Sequence, residues 1–208
     1  MEKIEYEFYL LVLMVIAISF LGWCFENLWL AVTKGFVDNR CMCFPFLLGY
    51  GLFIVILYLC LGTPQTFFAL GGITLKKSKW KRYLTYFCMV MFVVSIGEIL
   101  LGSIVEKFCG FAYWNYSWIP MHITKFTSIP TSIGFACIIT FLMAKCFTPL
   151  MNLLLLIPVG IAKTIASTGI IALISDFVIS FKKMYKTRQL NIKWRKELNH
   201  KSHWVLGE

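Results

Sequence analysis

Residues 83–105 read YLTYFCMVMFVVSIGEILLGSIV, 23 positions with one acidic residue, Glu98, and no basic one. At 1.5 Å per residue a helix of that length reaches about 35 Å, enough to cross the roughly 30 Å hydrocarbon core of a bilayer. The same character recurs along the chain. Apolar runs at 8–32, 44–62, 128–147 and 150–181 join 83–105 to give five predicted spans. Strands of a transmembrane barrel would alternate apolar and polar residues over about ten positions, and these runs do not alternate. The fold class is therefore all-α, a polytopic helical membrane protein with about five transmembrane helices. Composition agrees: 59% of residues are hydrophobic and 14% charged, with a mean hydropathy of +0.76, outside the balance of a soluble domain.

The last run is long for one straight crossing and too short for two, so it reads as a single tilted or kinked helix bent at Pro158 and Gly160. Residues 1–181 then make one helical membrane domain, followed by a basic juxtamembrane tail at 182–208. The first run follows Glu2, Lys3, Glu5 and Glu7 and has no small-residue cleavage site, so it reads as a retained span rather than a signal peptide. Eight cysteines are scattered without a CxxC. Only Cys41 and Cys43 lie close, with no flanking His or second Cys pair, so no metal, disulfide or cofactor site is expected.

The net charge of +10 gathers at 76–82 and at 182–201. Basic clusters beside spans, interleaved with Trp80, Tyr185 and Trp194, fit the lipid bilayer and its anionic headgroups. No nucleic-acid-reading module accompanies them. Five spans place the two clusters on opposite sides, in conflict with the positive-inside rule; a re-entrant segment or missed span would put both inside. The tail holds more Lys and Arg, so the C-terminus is expected in the cytoplasm, with Phe181, Tyr185 and Trp194 against the membrane surface.

Chemistry must come from polar groups within the spans: Glu26 in the first, Glu98 and Glu106 in or at the end of the third, Lys163 and Asp176 in the last. A charge near mid-bilayer costs on the order of 2.5 to 3.5 kcal/mol, so each is expected to face protein or a watery cavity and to have a partner. Glu98, Gly102 and Glu106 are spaced by four and climb one side of a helix; Gly22 stands four residues before Glu26. Each glycine admits a close neighbour beside an acid. Arg40, just after the first span, can hold a lipid phosphate or reach a carboxylate, Glu26 or Glu106. The aromatic segment at 113–120 reads either as an interfacial belt or as a loop folded back over a cavity, with His122 and Lys125 supplying polar contacts.

These residues carry a family resemblance. Gly22-Trp23 with Glu26, Asn39-Arg40, Pro45 and Tyr50-Gly51 form one block; Glu98, Gly102, Glu106, Trp114-Asn115-Tyr116-Ser117, Pro120 and Ser132 form a second. With Pro149 and Ser175-Asp176-Phe177 at the end, the chain resembles the ABC-transporter type IV (CmpB) family of bacterial membrane proteins. It departs where the family's glycine after Asn-Arg is Cys41, where paired tryptophans and Asp become Tyr113, Trp114 and Asn115, and where a later Asn and Gly-Arg become His122 and Lys125-Phe126. The resemblance implies a permease-like membrane component. No Walker-type phosphate loop is present, so ATP-driven transport would need a separate ATPase subunit.

The candidate substrate or ion path is thus Glu26, Arg40, Glu98 and Glu106, supported by Gly22, Trp23, Asn39, Gly102, Trp114, Asn115 and Tyr116. Three readings stand: a transport component using these acids, a membrane-embedded enzyme, and a structural or regulatory partner. The enzyme reading lacks an HExxH motif, a GxSxG elbow, or a His near the carboxylates in sequence, and no catalytic residue is assigned. No internal repeat is visible in the residue identities.

Overall fold

Backbone amides in hydrocarbon have no water to bond, so a span is helical or its irregular stretches are sealed by protein. The computed structural model, which describes residues 5–67 and 78–198, uses both solutions. In chain order it contains α1 (Phe8–Lys34), β1 (Phe36–Asp38), α2 (Leu48–Leu61), α3 (Lys79–Cys109), β2 (His122–Thr124), β3 (Thr127–Ser128), α4 (Ile129–Phe141), a π-helical turn (Leu142–Cys146), α5 (Phe147–Leu154), α6 (Val159–Thr187) and β4 (Arg195–Glu197). Lys76 and Lys77 of the first basic cluster, and the chain from 199, lie outside the described residues.

Among the described residues four helical segments are long and apolar enough to cross a bilayer: α1, α3, Ile129–Leu154 and α6. Half of the most apolar window of α1 is buried, against 17–22% for the other three, which leave most of their side chains only partly covered or exposed. Phe92, Phe141 and Ile171 are among those exposed.

Two predicted boundaries move. The run at 44–62 is helical only over Leu48–Leu61, 14 residues, which as a helix covers about 21 Å. The run at 150–181 is broken rather than bent: its first residues complete α5, and Pro158 stands directly before α6, where a missing N–H costs nothing. The π-turn has a local cause. Pro149 cannot bond the carbonyl four residues back, Lys145, and its ring would strike it; the wider turn over Leu142–Cys146 lets the segment continue through this point.

The chain divides into two compact units, one of Ile54–Pro158 with the residues before α1, the other of Phe8–Phe53 with the chain from Val159. In the second unit α1 packs on α6. Tyr9 faces Lys163 and Ile16 faces Gly169, so the two helices run in the same direction. Two parallel spans need an odd number of crossings between them. Among the described residues α3 and Ile129–Leu154 are long enough to supply two, and we propose that the stretch ending in the short α2 supplies the third, which would make five. The described part of the tail also belongs to this unit: α6 runs six residues past 181, and β4 pairs antiparallel with β1, Phe36 opposite Glu197 and Asp38 opposite Arg195.

In the first unit α3 packs on α4, antiparallel, since Ser95 meets Ser132 while Tyr83 and Ala144 share the amide of Gln65. α3 ends at Gly110, whose φ of 77° suits glycine and whose N–H returns to the Glu106 carbonyl. α4 begins with a reciprocal cap between Ser128 and Thr131, with Pro130 in its first turn.

Candidate functional site

After α1 the chain does not leave the helix end but doubles back along it. The amide of Asp38 bonds Asn27 Oδ1 at 2.8 Å, and that of Leu47 bonds the Ser19 carbonyl at 2.9 Å. Ser19 lies 15 residues before Lys34, so the return descends about 22 Å beside the helix before α2 begins. Its polar backbone is sealed by side chains of the same unit. Asp176 of α6 accepts the amides of Cys43 (2.9 Å) and Phe44 (2.8 Å), Asn39 donates to Met42 O and Asn191 O, and Asn191 donates to Cys41 O. Asp38, Asn39, Asp176 and Asn191 are all buried.

Glu26 sits in this seal. Arg40 on the return reaches its Oε2 at 3.0 Å and approaches Asp38 at 3.8 Å, while the Tyr50 hydroxyl donates to Oε1. Of the two carboxylates expected for Arg40, Glu26 is the one engaged. Gly22, one turn below, explains how Tyr50 arrives: a Cβ there would stand 2.6 Å from Tyr50 Cγ. Trp23 packs edge-on against Trp194 of the tail, 6.4 Å between ring centres, and Trp194 stays partly exposed.

The loop after α3 also doubles back. Phe126 fills the face of α3 opened by Gly102, where a Cβ would collide with its ring. Trp114 donates to the Phe126 carbonyl at 2.8 Å, and the Tyr116 amide bonds the Lys125 carbonyl at 2.8 Å. Lys125 pairs with Glu106 at 2.6 Å in an exposed contact, of a kind worth roughly 0 to 1 kcal/mol. Asn115 accepts the Ser117 amide at the loop's exposed edge, and His122, also exposed, lies 3.2 Å from the Ile119 carbonyl.

Deeper along α3 stands Glu98. Thr127 Oγ1 donates to its Oε2 at 2.6 Å, Thr127 and Ser132 hydroxyls meet at 3.0 Å, and Ser95 donates to Ser132 at 2.9 Å. Thr127 and Ser132 are buried. Among the described residues no cation reaches Glu98, whereas Glu26 holds one. A cavity of about 260 Å³, lined in part by Tyr58, Gln65, Lys145 and Thr148, contains none of the four path residues.

Each expected site residue thus has a place, but in two separate constellations. Glu26, Arg40, Gly22, Trp23 and Asn39 share one unit; Glu98, Glu106, Gly102, Trp114, Asn115 and Tyr116 share the other. Sequence reasoning named Tyr50 and Ser132 only within the family resemblance, without a place in the site, and missed Asp38 in the first constellation and Thr127 and Ser95 in the second. The run Thr127-Ser128-Ile129-Pro130-Thr131-Ser132 carried a signal, because hydroxyls around a proline before an apolar run mark a helix start.

A family model described as "Putative ABC-transporter type IV" matches residues 13–181 of the chain. No curated protein and no solved structure matches.

Proposed function

Because the chain belongs to the Putative ABC-transporter type IV family, we propose that it is a permease-like, membrane-embedded component of a transport assembly in which Glu98 handles charge within the translocation path. The observation that carries this reading is the company Glu98 keeps: a carboxyl in a bilayer-length helix, bonded by a hydroxyl and, among the described residues, by no cation. An acid kept only for structure is normally neutralised, as Glu26 is by Arg40. Energy would come from a separate ATPase subunit, and Lys79, Trp80, Lys81 and Arg82 at the start of α3 would meet anionic headgroups of the cell membrane.

A second reading, a non-transporting structural or regulatory partner, is favoured by the unit of α1 and α6. There Asn39, Arg40 and Asp176, which carry the family resemblance, fasten a return. The test is purification in mild detergent from native membranes, with co-purifying chains identified by mass spectrometry. An ATPase subunit is expected; recovery instead with an envelope enzyme or sensor, and no ATPase, would replace transport by the partner reading.

A further inference from the structure

The two returns are built alike. Each follows a long helix, brings an aromatic ring onto a glycine of that helix (Tyr50 on Gly22, Phe126 on Gly102), delivers a hydroxyl to an acid one turn away (Tyr50 to Glu26, Thr127 to Glu98), and leads into a helix that starts well below the end of the first. The chain therefore contains its own control. Where the acid is Glu26, the return supplies a guanidinium; where it is Glu98, nothing stands in that place among the described residues.

We infer that Glu98 is a proton-exchanging carboxyl, its exchange coupled to reversal of the hydroxyl chain Thr127–Ser132–Ser95. The chain accommodates both protonation states without losing a bond. With Glu98 ionised, Ser95 donates to Ser132, Ser132 to Thr127, and Thr127 to Glu98 Oε2, one proton each. When a proton from water joins the carboxylate, Glu98 donates to Thr127, Thr127 to Ser132, and Ser132 to Ser95. The Ser95 hydroxyl then turns wholly to the Met91 carbonyl, 2.9 Å away. No other bond forms or breaks. Because Met91 offers only a carbonyl, the proton enters and leaves at Glu98, and the chain follows by rotating hydroxyls.

The spacing selects a proton over an alkali ion, which would have to part the 2.6 Å Glu98–Thr127 contact that a proton occupies naturally. The neighbouring charges do not answer Glu98. On α3 itself Glu106 is bound by Lys125 and Lys107 lies beyond it; on the returning hairpin His122 is exposed; α4 contains no Asp, Glu, Lys, Arg or His.

This inference rests on the proposed reading only in placing α3 across the bilayer, and its test needs neither flux nor an ATPase. The full chain in lipid nanodiscs is measured by infrared difference spectroscopy between acidic and alkaline buffer, in water and in deuterated water. The expected result is a protonated-carboxyl band that appears on acidification, shifts on deuteration, is lost in Glu98→Gln and persists in Glu106→Gln. Ser132→Ala, which does not touch Glu98, is expected to shift the band, because a chain that reverses as a unit transmits the loss. Absence of any such band in the unmodified protein, or its survival in a folded Glu98→Gln, overturns the proton site; an unmoved band in Ser132→Ala overturns the chain reversal. A band behaving as expected in a protein that never recovers an ATPase would leave the proton site standing and remove only the transport reading.

Discussion

Cys41 has φ of 63° and is buried, in the left-handed region where L side chains other than Asn and Asp are strained by about 1 to 2 kcal/mol. The family's glycine at this position is explained by that angle, and the substitution here stores strain in the return. Cys41→Gly should therefore be at least as stable to thermal unfolding in detergent as Cys41→Ala, which loses the thiol and keeps the strain; the reverse order would show that the backbone relaxes. A second pair of residues tests close packing. Gly97 and Gly102 lie on the same helix, but only at Gly102 would a Cβ meet a neighbour, the Phe126 ring. Gly102→Ala should cost about 1 to 3 kcal/mol by overpacking, while Gly97→Ala should be neutral or slightly stabilising, both read as shifts in Tm. The acids, Arg40 and the two glycines were legible in the sequence because charge and small size are anomalous inside apolar runs. Thr127 and Ser95 were not, and Ser132 entered only through the family resemblance, since a hydroxyl in a membrane helix usually bonds its own backbone, and only the doubling back of residues 110–128 brings these into a chain.

At the scale of elements, hydropathy located the long helices, but it could not register that two connections re-enter the depth of the spans. The run at 44–62 is apolar throughout, yet its first residues are not helical, and period and length carry no sign of that. What permits it is a set of distant acceptors, Asp176 above all, 132 and 133 residues away from the amides it receives. Asp176→Asn keeps the shape but offers one acceptor oxygen in place of two and turns an NH₂ toward amide donors. It should destabilise the fold by about 1 to 3 kcal/mol, and it should make the return between β1 and α2 more open to limited proteolysis. Ser180→Ala, which removes only a 3.2 Å bond to the same carboxylate, should do less. Equal effects would mean that the amides of Cys43 and Phe44 find other acceptors. Besides the membrane-surface role expected from its charge, the tail is tied to the return by Asn191 and β4, a long-range pairing that composition does not encode.

For the whole molecule we propose five crossings on the ground of parity, because α1 and α6 run parallel and two long spans separate them among the described residues. The same count was legible in the sequence through hydropathy alone, although one of the five is completed by a 14-residue helix that would fail a length criterion. An odd count places the α3 start, with Lys79, Lys81 and Arg82, and the chain beyond α6 on opposite sides of the membrane, so the positive-inside rule cannot be obeyed by both clusters. The tail carries more Lys and Arg, and we propose that it prevails and lies in the cytoplasm. Reporter fusions test count and orientation separately. A fusion after Glu208 is expected to report the cytoplasm and one between Gly72 and Lys76 the opposite side. If both report the cytoplasm, one of α3, Ile129–Leu154 and α6, the three spans between the two fusion points, does not complete a crossing, and the count of five is lost. If the two differ but are exchanged, the three crossings between them stand and the α3 cluster outweighs the tail, which would turn the depth at which Glu98 sits toward the other face of the membrane and reverse the side from which its proton arrives.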